Sequence, residues 1–420
     1  PSQITVLPNP FHNGGFMINS LRFGFVTGPL LGGAWMFIVT LSIAVTMSFA
    51  TGQAFAPDLG WSLIWGAVTG FALVLRHNQL ILGGLVLSIF ALSLLPYGPL
   101  NIGSDVVLIS ASIAGLLVAL SHALPLYFIL LGLRFGALNR HEFETAIIRM
   151  LMGFGYVFFT AIVLIPFYVM VMTSLKSQSE LLQNPLDFSL DLSKGWGLLR
   201  SYHELFTDFN FGEYLWTSFY ISVLTVLITL AFSIPGAYSV ARLRFRGRST
   251  FSRSILLIYM VPMIVLALPI YIAFSKIGLR NSITGIVLIY PVTTIPVALY
   301  MLQGYFRALP SEVEEAGLMD GLNRLAVIWK ITLPLSLPAI ASVSLYVFMI
   351  AWNEFLLAFM LLDDPSKFTL TRGIASLNSS EIPRQHLMAG SVIATLPIMV
   401  LFLGIERFMT KGLTAGSVKG

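Results

Sequence analysis

Acids are few in this 420-residue sequence, 19 against 24 lysines and arginines, so the places where they gather mark where contact or chemistry can occur. One such place lies within residues 305–338, where Glu312, Glu314 and Glu315 are followed by Asp320-Gly321 and then by Leu333-Pro334. Ser311 stands three residues before Glu314, the spacing of a capping box, with Pro310 just ahead, so a short helix is predicted to start there. The three glutamates also complement the positive end of its dipole, by about 0.3–1 kcal/mol each when exposed. Gly317 and Gly321 limit its length, and the stretch from Leu325 to Leu333 is predicted to turn Ile328, Trp329 and Ile331 to a bilayer edge before Pro334 and Pro338 break it. From the residues alone this is a solvated connection, too polar for a membrane and too patterned for a slack linker. A second place is the pair Asn353-Glu354 inside an apolar stretch. An acid at the centre of a membrane helix costs about 2.5–3.5 kcal/mol. Glu354 must therefore face a bundle interior, either lining a solute path or pinning two helices by a hydrogen bond.

Other chemistries lack their residues. There are no cysteines, hence no thiolate metal site, disulfide or cysteine nucleophile. The six histidines, His12, His77, His122, His141, His203 and His386, are scattered without ligand spacing, and no metal site is expected. No GxxxxGK[ST] phosphate loop occurs, so the chain is not expected to hydrolyse ATP itself. A membrane-embedded enzyme would need acids, histidines or a nucleophile clustered at one membrane face, and none is found.

The elements that must position these residues are set by composition: 56% hydrophobic and 10% charged residues, with a mean hydropathy of +0.85. Such a chain is solvated by lipid, where long unbroken apolar runs form helices. Ten segments are long enough to be marked as crossings, near 23–48, 59–75, 79–98, 106–133, 151–173, 214–241, 254–274, 283–303, 339–361 and 388–408. Prolines fall within them at Pro125, Pro166, Pro235, Pro262, Pro269, Pro291, Pro296 and Pro397, and are expected as kinks. Residues 1–22 carry no signal-peptide pattern, and the first span is expected to do the targeting.

The net charge of +5 is distributed between spans, which argues against a nucleic-acid surface. Arg242, Arg244, Arg246, Arg248 and Arg253 lie in an acid-free run between two apolar segments, a cytoplasmic loop by the positive-inside rule. Threading from a cytoplasmic N-terminus also puts Arg76, Arg134, Arg140, Arg149, Lys411 and Lys419 inside, and the acid-rich loop 174–213 outside. A polar stretch around 134–150 separates an N-terminal extension of four helices, residues 1–140, from a six-helix unit, residues 141–420.

The 305–338 loop resembles the cytoplasmic signature of bacterial ABC import permeases: Glu-Ala-Ala, two residues, Asp-Gly, and a Leu-Pro some twelve residues on. Here it stands as Glu315, Ala316, Gly317, then Asp320, Gly321, then Ile331, Leu333 and Pro334. Gly317 replaces the second Ala and is expected to loosen the helix by up to about 1 kcal/mol; Leu322 stands where a further Ala is usual. The resemblance covers roughly residues 150–420 and extends to the carbohydrate-uptake, maltose-type branch. Trp352-Asn353-Glu354-Phe355 and the ending Gly412 to Gly420 support it.

The resemblance implies an all-α polytopic protein with a type I importer-permease core. Glu314, Glu315, Ala316, Gly317, Asp320, Gly321, Leu333 and Pro334 would dock on a separate ATPase dimer that holds the ATP and Mg, with no cofactor in this chain. Thr414, Gly416 and Lys419, in the tail 410–420, would reach between the ATPases. External loops 174–213 and 363–386 would meet an extracytoplasmic sugar-binding protein, a second permease subunit would complete a heterodimer, and Asn353 and Glu354 would lie on the path of a sugar or sugar derivative. It places the chain in a bacterial cytoplasmic membrane with both termini inside. The first 140 residues fall outside the resemblance. An ion-coupled secondary transporter is the competing reading; it would display acids at mid-membrane depth, and Glu354 is the clearest candidate.

Overall fold

The computed structural model describes residues 21–414 apart from 105, 185, 186 and 380, and of residues 192, 256, 258, 259 and 405–414 the backbone only. By internal packing the chain divides into two compact units, 1–172 with 179–195, and 173–178 with 196–420. The polar stretch at 134–150 thus lies within the first unit, and the division falls later than the sequence boundary at 140.

The first unit contains α1 (Gly24–Thr51), α2 (Leu59–Leu75), α3 (Gln79–Ser93), α4 (Leu108–Ile129) and most of α5 (Arg140–Ser174). Two three-residue strands, β1 (Phe55–Pro57) and β2 (Leu100–Ile102), pair antiparallel with Phe55 opposite Ile102. Glycines bring α1 and α2 into backbone contact: a Cβ on Gly32 would lie 2.2 Å from the Gly66 carbonyl oxygen, and one on Gly66 2.4 Å from that of Gly32. Lipid supplies no hydrophobic drive between helices, so such close van der Waals approach is what holds them. Trp35, Met36, Leu73, Val118 and Leu126 fill the core. His122, wholly buried among them, has its Nε2 2.8 Å from the Thr69 hydroxyl, a structural tie between α4 and α2.

The second unit contains α6 (Arg200–Asp208), α7 (Phe211–Arg242), α8 (Arg248–Tyr259), α9 (Met263–Lys276), α10 (Ile283–Ala308), α11 (Ser311–Met319), α12 (Leu337–Asn353), α13 (Leu356–Leu361), α14 (Leu370–Ser376) and α15 (Arg384–Thr414). Among the described residues, α1, α4, α5, α7, α10 and α15 are long and apolar enough to cross a bilayer singly. A seventh candidate is α12 with residues 324–335, bent by 77°. The helices α2, α3 and α9, of 17, 15 and 14 residues, are shorter than the roughly 20 residues that a 30 Å hydrocarbon layer takes. Ten apolar segments therefore become helices, but not ten equal crossings.

Two expected spans are interrupted. The segment 254–274 breaks between Tyr259 and Met263, and Pro262, expected as a mid-helix kink, is instead the residue before the first turn of α9. A proline has no N–H to give, so that position costs it least. The segment 339–361 breaks at Glu354, whose backbone is extended between α12 and α13. The other seven expected prolines are inside helices, joined by Pro29 in α1.

Candidate functional site

The nine-residue α11 begins without a side-chain cap: Pro310, not Ser311, precedes its first turn. The predicted capping box does not form because Glu314 turns inward. Its carboxylate accepts hydrogen bonds from the Tyr238 hydroxyl and the Thr332 hydroxyl, each at 3.1 Å, and lies 3.4 Å from Nε of Arg242. Glu314 is only 5% exposed. Tyr238 and Arg242 come from the last turns of α7, and Thr332 from the π-helical turn Ile328–Thr332. Arg242 also donates through Nη2 to the Leu309 carbonyl at 2.6 Å, one residue before Pro310. A buried carboxylate with two hydroxyl donors and a counter-ion is worth more than a solvated N-terminal cap, which explains why the side chain leaves the helix start.

The other end of α11 is closed by backbone. Leu322 N–H bonds to the Gly317 carbonyl and Gly321 N–H to the Leu318 carbonyl, both at 3.1 Å. This is the 6→1 and 5→2 pairing of a Schellman motif, with Gly321 in the left-handed position at φ 84°. No atom stands within 4 Å of where its Cβ would be, so the need for glycine there is conformational. At Gly317 the need is spatial: a Cβ would meet Cδ1 of Ile331 at 2.4 Å. The departure from alanine lets Ile331 pack against α11, and so seats the helix more tightly.

That packing corrects the expected orientation of the following segment. Ile331 lies against Gly317, and Ile328 joins the cluster of Tyr238, Leu302 and Phe306. Of the three apolar residues expected at a bilayer edge only Trp329, 71% exposed, points outward. Pro334 sits in the turn Leu333–Leu335, and Pro338 occupies the first turn of α12 beyond the bend at Ser336.

The expected contact residues therefore separate. Glu314 and Gly317 are buried; Glu315, Ala316, Asp320, Gly321 and Pro334 are exposed, and Leu333 is half-buried. Beside Glu312 and Glu315 the outward surface carries Val313, Met319 and Leu325, a mixed acidic and apolar face. Gly416 and Lys419 lie outside the described residues, and Thr414 ends α15 with its backbone alone described.

Glu354 bonds to groups on the far side of the break. Oε1 accepts from Leu357 N–H at 2.8 Å and Oε2 from Ala358 N–H at 3.1 Å, while its own carbonyl accepts from the Thr371 hydroxyl at 2.6 Å. It caps α13 and ties α14 to the break. Asn353 beside it is exposed, donating to the Met349 carbonyl at 2.9 Å. The neighbouring Trp352 donates to the Ala394 carbonyl at 3.1 Å, joining α12 to α15.

Several residues of this machinery had no sequence assignment. Tyr238 and Thr332, partners of Glu314, carry no motif. Arg248 donates to the carbonyls of Val240 and Ala241 at 2.6 and 2.8 Å and so closes the end of α7; basic residues after a long helix are the signal for this. Buried hydroxyls at Ser218, Ser222, Thr225, Thr229 and Ser233 line one face of α7, where Thr229 meets Thr294 of α10 at 2.6 Å; their spacing of three and four was visible in the sequence. Between α6 and the start of α15, His386 Nε2 lies 2.7 Å from Glu204, which also pairs with Arg200. Arg200 and His386 together hold the Glu204 carboxyl below its usual range.

Long apolar helices with a short polar helix clasped to their ends define a polytopic membrane protein. The sequence of residues 233–414 matches the family described as binding-protein-dependent transport system inner membrane component. The chain is 38% identical over 269 residues to the inner membrane ABC transporter permease protein YcjP of Escherichia coli (strain K12), covering 63% of this chain and 95% of that one. It is 33% identical to the trehalose/maltose transport system permease protein MalG of Thermococcus litoralis over 66% of this chain and 99% of that one. In fold it is similar to a chain of a bacterial ABC transporter involved in import of the acidic polysaccharide alginate, with a TM-score of 0.54 at 23% identity, covering 64% of this chain and 98% of that chain. The chain belongs to the binding-protein-dependent transport system inner membrane component family, and it is a permease component, not an enzyme.

Proposed function

We propose that this chain carries a sugar or sugar derivative across the cytoplasmic membrane as one permease subunit of an ABC importer, and that the segment from α11 to Leu335 is the handle by which a separate ATPase moves it. One observation carries the reading. Glu314 joins α11 at once to the end of α7 and to the turn that leads through the bend into α12. A load applied to the exposed face of α11 is thus delivered to two long helices, which is what biasing an inward-open against an outward-open bundle takes. The exposed set Glu315, Ala316, Asp320, Gly321 and Pro334 would meet the ATPase, whereas Glu314 and Gly317 act within the permease.

ATP and Mg belong to that ATPase, and this chain contributes no cofactor ligand. The reading further includes a second permease subunit, a tail from Thr414 to Lys419 reaching the ATPases, and loops 174–213 and 363–386 facing a sugar-binding protein. Both termini are assigned to the cytoplasm by the basic residues of the intervening loops. Asn353, exposed at the break beside Glu354, remains the candidate for cargo contact. An ion-coupled carrier is less well supported, because the carboxylate it would titrate is engaged by two amides of α13.

The test is Glu315→Lys in the complex reconstituted with its ATPase and binding protein. The complex is expected to assemble with cargo-stimulated ATP hydrolysis strongly reduced. Stimulation at the wild-type level would overturn the assignment of this face.

A further inference from the structure

Three arginines punctuate the polar stretch between α4 and the first turns of α5, and two have carboxylate partners. Nε of Arg134 lies 3.3 Å from Glu142, and Nε of Arg140 lies 2.6 Å from Glu144. Arg149 differs. Its Nη1 donates to the carbonyls of Leu131 at 2.6 Å and Phe128 at 3.3 Å, and among the described residues it has no acid beside it. It is one of the residues lining a groove of about 560 Å³ between α4 and α5, with Leu124, Pro125, Ile129, Met152 and Tyr156. That volume is within the range that holds small organic ligands, and apart from the guanidinium its wall is almost wholly apolar.

We propose that this groove is a binding site for an anionic phospholipid of the inner leaflet, its phosphate on Arg149 and an acyl chain along the groove. Helix-end carbonyls hold the guanidinium through one nitrogen, which leaves donors in a fork suited to phosphate oxygens. A soluble anion would have no use for the apolar wall, and a zwitterionic lipid such as phosphatidylcholine, whose choline offsets its phosphate, would gain less from the guanidinium. The positive-inside assignment puts Arg149 at the cytoplasmic surface, where anionic headgroups attract basic side chains. The site gives the α4–α5 face a ligand that the transport reading neither supplies nor needs.

The experiment is native mass spectrometry of the full chain in its complex, titrated with phosphatidylglycerol or with phosphatidylcholine of the same acyl chains. Wild type is expected to prefer phosphatidylglycerol, Arg149→Gln to bind it about fivefold more weakly while phosphatidylcholine loses less, so that the preference disappears, and Arg134→Gln to behave as wild type. Leu124→Trp, which fills the groove, is expected to weaken both lipids. Undiminished phosphatidylglycerol binding by Arg149→Gln, or an equal loss in Arg134→Gln, would overturn the proposal. Arg149→Lys provides the check if the glutamine variant does not fold: it keeps the charge but not the fork, so the preference should persist in weakened form, and its complete loss would count against the site. Transport is not the readout, so the importer reading and this one fail separately.

Discussion

Removing the Glu314 carboxylate should loosen the handle without unfolding the bundle. In Glu314→Ala, the hydroxyls of Tyr238 and Thr332 lose their acceptor and Arg242, whose side chain is 13% exposed, loses its counter-ion. Breaking a buried ion pair from one side costs about 3–5 kcal/mol. Arg242 keeps the Leu309 carbonyl, which puts the expected loss near the lower end, about 3 kcal/mol, or roughly a hundredfold rise in the detached population. That energy falls on the attachment of α11, because the apolar cluster around Tyr290 contains no partner of Glu314 and the cluster around Phe306 meets it only through the Tyr238 hydroxyl. Hydrogen exchange in the assembled complex should quicken by about that factor at residues 311–335, while exchange in α10 stays slow. Cargo uptake per ATP hydrolysed should fall in parallel. Tyr238→Phe alone should cost about 1 kcal/mol, and the double variant should cost less than the sum, since the two share one interaction. Wild-type exchange at 311–335 in Glu314→Ala, or strict additivity with Tyr238→Phe, would refute the clasp.

Further outcomes follow from the same geometry. Gly321→Ala should destabilise the end of α11 by about 1 kcal/mol and Gly321→Asn by less, since only the left-handed backbone is at stake; local hydrogen exchange at 318–322 reads the difference. Gly317→Ala should be near neutral in thermal midpoint, as helix propensity gains up to about 1 kcal/mol while the displaced Ile331 methyl takes some of it back. Glu354→Ala removes the cap of α13 and should lower stability by about 0.5–2 kcal/mol, measured by thermal unfolding in detergent. The depressed pKa of Glu204 makes its contribution fully present above its unfolded value of about 4.5 and lost as pH falls through the lower folded value. Glu204→Gln should therefore differ from wild type in thermal midpoint at pH 7, and the difference should shrink once pH falls below about 4.5 and vanish below the lowered folded value.

Hydropathy was enough to determine a lipid-solvated helical chain, because a run of apolar residues has no other way to satisfy its backbone in a bilayer. The spacing from Glu315 through Gly321 to Pro334 likewise located α11, since a Schellman end and a proline break are local events written in a few residues. Other features were decided by packing between distant segments. The break at Glu354 arose where a carboxylate found two free amides in place of a continued helix. Glu314 could satisfy a capping box by spacing, yet Tyr238, 76 positions earlier in the chain, claimed it, because a buried counter-ion and two hydroxyls outweigh a cap in water. The inward turn of Ile331 onto Gly317 has the same origin: which face of a short amphipathic stretch is covered depends on what the rest of the chain brings against it, and a linear pattern carries no record of that.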